Sequence, residues 1–131
     1  MSQENMDVVR AAMAAWNEGE MSALRDLLDR DMVLRPPEGW PEPGPYVGVE
    51  AAMREWEQLR EIWKADAIEP IGEFTQVADH VLVRARWRTA GSGPKGDMEM
   101  TIVYTLRGGR IFLNEYFWRH EDALRAVGLE E

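Results

Sequence analysis

The hydrophobic period of this chain changes once, and that change bounds the folds open to it. Up to Trp63 the apolar residues recur mostly at helical spacing; from Ala67 onward they alternate. Helical stripes followed by period-two segments within 131 residues predict a single α+β domain over residues 1–131, an antiparallel meander with helices gathered on one face.

In the first stretch, Met6, Val9, Met13 and Trp16 share a helix face, helped by Ala11, Ala12, Ala14 and Ala15. Ser2 is placed to cap that helix and Asn17-Glu18-Gly19 to stop it. Ser22 caps a shorter helix carrying Leu24, Leu27 and Leu28, which ends near Asp29-Arg30-Asp31. Residues 32–35 read as a short strand. Five prolines between residues 36 and 46 make a stiff loop, and its Trp40 and Tyr46 either rim a pocket or pack on the core. Over residues 49–63, Ala52, Met53, Trp56, Leu59, Ile62 and Trp63 form a stripe opposed by Arg54, Glu55, Glu57, Gln58 and Glu61.

Strands are predicted at about 67–77, 81–88, 97–107 and 110–118. Gly108-Gly109 and Ala78-Asp79-His80 supply tight turns, and residues 89–96 a longer one. A short closing helix or turn over 120–127 ends at Gly128.

Composition excludes several classes of function. A 45% apolar fraction is incompatible with a disordered chain, and no apolar run approaches the roughly 20 residues of a membrane span. The acidic N-terminus lacks a secretory pattern, so the expected location is cytoplasmic. Without cysteine there are no disulfides or thiolate ligands. A net charge of −9 opposes nucleic-acid binding, and Arg84-Ala85-Arg86-Trp87-Arg88 reads as the solvated side of a strand. Gly91-Ser92-Gly93-Pro94-Lys95-Gly96 has dinucleotide-loop spacing but precedes a strand, where that mechanism needs a helix N-terminus. His120-Glu121-Asp122-Ala123-Leu124 lacks the second histidine of a zinc helix. No metal and no cofactor are expected.

The order of elements resembles the nuclear-transport-factor-two-like superfamily, specifically its SnoaL-like branch, which is related to ketosteroid isomerase and limonene epoxide hydrolase. The resemblance rests on residues 5–19 followed by 24–31, on Arg35-Pro36-Pro37-Glu38-Gly39-Trp40-Pro41, on Arg84 to Trp87, on Leu106 to Ile111 and on Glu115-Tyr116-Phe117. It implies a cone-shaped fold in which a strongly curved, mainly antiparallel sheet wraps around three helices and encloses a pocket, usually in a homodimer. Arg86 and Glu115 resemble residues of the epoxide hydrolases, but Arg88 stands where a second acid belongs. Arg35 replaces the isomerase base, and Trp118 the acid that many SnoaL-like chains carry three residues after the Glu115 position.

Alternation places Met98, Met100, Ile102, Tyr104 and Leu106 inward, and puts Glu115 between Leu113 and Phe117 on an inward face of the last strand. Glu115 is therefore the candidate general acid or base, or else the partner of an arginine at a sheet edge, with Arg84, Arg86 and Arg88 available. Alternation turns Arg86 outward, whereas the family comparison turns it inward as its catalytic partner. Trp16, Leu34, Trp40, Tyr46, Met53, Trp56, Trp63, Met98, Met100, Leu113 and Phe117 are the candidate substrate-binding set, or else ordinary core. The expected ligand is a small apolar or aromatic organic molecule, handled by acid–base chemistry or simply bound. An interaction module with a vestigial pocket, dimeric through the outer sheet face, is the alternative.

Overall fold

In the computed structural model, the residues described are 2–40, 44–63, 67–89 and 96–129, and the side chains at 2, 62, 63, 89 and 97 lie outside that description. Elements run α1 (Ser2–Glu18), α2 (Met21–Asp26), β1 (Leu28–Arg35), β2 (Tyr46–Val47), α3 (Val49–Gln58), β3 (Ala67–Pro70), β4 (Thr75–Val77), β5 (His80–Thr89), β6 (Gly96–Arg107), β7 (Arg110–Phe117) and α4 (His120–Ala126). A π-helical turn over Leu59–Trp63 extends α3. No helix among the described residues is long and apolar enough to cross a membrane.

Helix α1 forms because Val9, Ala12, Met13 and Trp16 fall on one stripe, and all four are buried against the sheet. Gly19 ends it at φ +74°, with its N–H bonded to the Trp16 carbonyl, a left-handed stop open to glycine at little cost. Arg60 donates to that same carbonyl and lies 4.9 Å over the Trp16 ring. Asn17 then ties the helix to β3 through both its amide nitrogen and its oxygen on Ile68.

The sheet order is β2-β1-β7-β6-β5-β3, with β4 also paired to β5. All pairings are antiparallel except β1 with β7. Three expected boundaries move. Leu28 to Asp31 belong to β1 rather than to the second helix, because Leu28 pairs with Ile111 and the Ile111 N–H takes the Leu27 carbonyl. Tyr46 and Val47 leave the proline-rich loop as an edge strand on Leu34 and Val33. The strand expected at 67–77 is two strands, broken around Gly72 at φ +81°. Gly108 and Gly109 have φ of +60° and +81°, which is the hairpin geometry read from the sequence. The Gly91 to Lys95 segment lies outside the described residues.

One irregularity controls the interior. Between β6 and β7, Leu106 pairs with Ile111 but Thr105 pairs with Leu113, so Phe112 is an extra residue, a β-bulge that reverses the side-chain alternation beyond it. Ile111, Asn114 and Tyr116 consequently face the helices and are buried, while Leu113, Glu115 and Phe117 face the other side. There α4 covers part of the sheet, with Ala123 packed on Leu82 and Val103 beside Phe117 and Leu124.

Candidate functional site

The concave side of the sheet is lined with rings. Trp87 stacks between Trp40 (centroids 6.3 Å apart, planes 7° apart) and Tyr116 (5.6 Å, 8°). Trp16 meets Trp87 edge-on at 5.9 Å and Trp56 at 6.4 Å. Between these rings lies a cavity of about 30 Å³ walled by Met13, Trp16, Trp56, Trp87, Tyr104, Asn114 and Tyr116 among others. A neighbouring recess of about 10 Å³, under Pro36, Pro37 and Trp40, shares Trp56, Trp87 and Tyr116 and adds Leu34, Leu59 and Glu55. Ligand pockets commonly measure about 300–1,000 Å³. Here the aromatic side chains occupy most of that room.

Residues lining these spaces carry buried polar atoms with no hydrogen-bond partner, among them three donors and one acceptor, Glu55 Oε2. Trp16 Nε1, Trp87 Nε1 and Asn114 Nδ2 are buried without a hydrogen-bond partner, at a typical cost of about 1–3 kcal/mol each. Burial pushes the Tyr116 phenol up to about 12, opposed by hydrogen bonding from Trp56, which favours its ionised form. Tyr104 is also raised, first by burial and then by Tyr116. Both phenols are therefore neutral donors at ordinary pH. Trp16, Trp87 and Asn114 all line the cavity, so an oxygen acceptor placed there would lie beside residues that carry unused donors.

Of the residues expected here, Trp16 and Trp56 line the cavity, and Leu34 and Trp40 join Trp56 in the recess. Met53 and Met100 are buried core, and Tyr46 and Met98 pack against it, but none of these four lines either space. The Trp63 side chain is outside the described residues. Leu113 and Phe117 face the opposite side of the sheet because of the Phe112 bulge.

Glu115 turns with them, which corrects its expected inward placement. It pairs loosely with Arg35 at 3.8 Å beside Phe117, Trp118 and Arg119. Arg86 also lies on the outer side, 3.1 Å from Glu99 and 3.7 Å from Glu69, with Arg88 3.0 Å from Glu69. Alternation read Arg86 correctly, and its inward placement by family comparison is overturned. Nor do the two residues meet: their β6 partners, Glu99 and Val103, are four positions apart. Glu115→Gln should change unfolding free energy by under about 0.5 kcal/mol in a urea titration; a loss of several kcal/mol would contradict this placement.

Sequence reading passed over three interior residues. Asn114 and Tyr116 are hidden by the bulge. Glu55 is 4% exposed on α3, and its spacing from Ala52, Trp56 and Leu59 is a helix-face signal that its charge obscured.

A bent sheet enclosing helices, with an aromatic interior, is the cone fold of NTF2-like proteins. The SnoaL-like domain model matches residues 9–114, and the chain belongs to that family. Bal32a, from a soil-derived mobile gene cassette, superposes with a TM-score of 0.80 at 21% identity over 88% of each chain. A putative polyketide cyclase from Sinorhizobium meliloti is 26% identical over 84% of this chain and 93% of its own, with a TM-score of 0.72. An NTF2-like protein of unknown function from Burkholderia pseudomallei covers 98% of this chain and 99% of its own at 16% identity and a TM-score of 0.76. No curated protein matches the chain in sequence.

Proposed function

We propose that this protein binds a small, largely apolar or aromatic compound bearing an oxygen acceptor in the interior of the cone, and transforms it by acid–base chemistry without a cofactor. The observation that carries the reading is the set of unpartnered donors, Trp16 Nε1, Trp87 Nε1 and Asn114 Nδ2, on residues that line one largely apolar cavity. Ordinary core packing avoids such groups, and a ligand oxygen would satisfy them. Membership of the SnoaL-like family and likeness to a putative polyketide cyclase support the same class of ligand. Isomerisation, cyclisation, elimination and hydrolysis all fit a site of this composition.

A second reading draws on the small volume of the cavity: the rings are simply core, and the protein is an interaction module dimeric through its outer sheet face, where Leu113 and Phe117 remain partly exposed. A thermal-shift screen of aromatic ketones, quinones and phenols separates the two. A true ligand at about 100 times its Kd should raise Tm by roughly 5–10 °C. A flat response across the whole panel would favour the module.

A further inference from the structure

Glu55 is the one carboxylate buried among the described residues, and it stands at the recess beneath Trp40. Removing a charged group from water is costly even with partners, and α3 has an exposed face, carrying Arg54 and Glu57, where a glutamate would incur no such cost. Its walls are Leu34, Leu59, Trp40, Trp56 and Trp87. A carboxylate set among indole, phenol and aliphatic groups, largely out of bulk water and with its Oε2 buried without a hydrogen-bond partner, is placed as a proton acceptor for a substrate held against those rings.

The substrate's place is marked by a side chain. Trp40, Trp87 and Tyr116 form a parallel stack; Trp87 and Tyr116 come from the sheet, but Trp40 comes from the proline-rich segment. That segment is held by the Trp40 N–H on the Pro37 carbonyl and by the Trp118 indole on the Glu38 carbonyl. Trp40 lies in neither a helix nor a strand, so moving its ring disturbs no sheet or helix ladder. The space the Trp40 indole fills is one aromatic ring thick, bounded by the face of Trp87 on which it stacks, beside the recess that Glu55 lines.

We infer that Glu55 is the proton-transferring catalytic residue of the interior site, and that its substrate is a flat aromatic compound taking the place of the Trp40 indole on Trp87. The inference rests on the interior-site reading above, replaces Glu115 and Arg86 as the catalytic groups, and reconciles a small cavity with a ligand the size of a ring system.

The test uses 5-nitrobenzisoxazole, a flat probe whose reaction needs only a base. The carboxylate takes the ring C–H proton next to nitrogen, the freed electron pair completes a C≡N bond, the N–O bond breaks, and its pair leaves on oxygen as a coloured nitrophenolate. Nothing else is consumed. Binding is followed by tryptophan fluorescence, and turnover by the colour, in wild type, Trp40→Ala, Glu55→Gln, Glu55→Asp and Glu115→Gln. Expected are binding to wild type and tighter binding to Trp40→Ala, turnover reduced about 100-fold or more by Glu55→Gln, partial turnover in Glu55→Asp, and none of these effects from Glu115→Gln. Because Glu55→Asp keeps the carboxylate, folding damage and loss of the base are told apart. Binding with turnover indifferent to Glu55→Gln would overturn the inference and leave the binding reading standing. Absence of binding to both wild type and Trp40→Ala would overturn both.

Discussion

Trp87→Ala should lower the unfolding free energy by about 3–5 kcal/mol, the range for deleting a large aromatic from a packed core. Trp87 is 3% exposed and touches Trp16, Trp40 and Tyr116, so its loss empties the centre of the ring cluster. One term acts in the opposite direction. The variant also removes a buried N–H without a partner, which returns about 1–3 kcal/mol, but lost packing on both faces and one edge of the indole outweighs it. Trp118, 42% exposed, gives the contrast: Trp118→Ala should cost about 1 kcal/mol or less. Urea unfolding of both variants checks the ranking, and a Trp87→Ala loss below about 1 kcal/mol would show that the cluster is not a packed unit.

Alkaline pH should destabilise the fold through its buried phenols. Tyr116 is raised from 10.0 to about 12 in the folded protein, and Tyr104 is also raised. Below pH 10 both states hold these protons and nothing is lost. Between pH 10 and 12 the unfolded chain releases protons that the folded one keeps, so stability falls as pH rises. Two units at Tyr116 correspond to about 3 kcal/mol at the upper end, and Tyr104 adds to it. With two lysines in the chain, few other side chains titrate there. Chemical denaturation at pH 9, 10 and 11 should show the decline, and Tyr116→Phe should make it shallower. An equal slope in the variant would contradict the assignment to Tyr116.

The legible parts of the fold were those whose faces run unbroken. The α1 stripe and the alternation of β5 and β6 hold from end to end, so Trp16, Trp87, Met100 and Tyr104 fall inside as read. Leu24, Leu27 and Leu28 share a helical spacing, yet the pairing of Leu28 with Ile111 draws the last into β1; a tertiary contact overrode local pattern. The bulge at Phe112 left no glycine or proline to announce it, and one extra residue moved Glu115 out and Asn114 and Tyr116 in. Glu55 erred in the other direction, because charge was read as exposure where spacing pointed to the core. Family likeness identified the architecture but misplaced Arg86, whose partners Glu69 and Glu99 hold it outside.

The central claim, that the interior donors await a ligand oxygen, is tested most directly by NMR of the indole N–H signals during titration with the best compound from the thermal-shift panel. Trp16 and Trp87 should move downfield together and saturate as each N–H gains an acceptor, while Trp118, already donating to Glu38, stays in place. Saturable binding that shifts Trp118 and leaves Trp16 and Trp87 unmoved would place the ligand elsewhere and contradict the account.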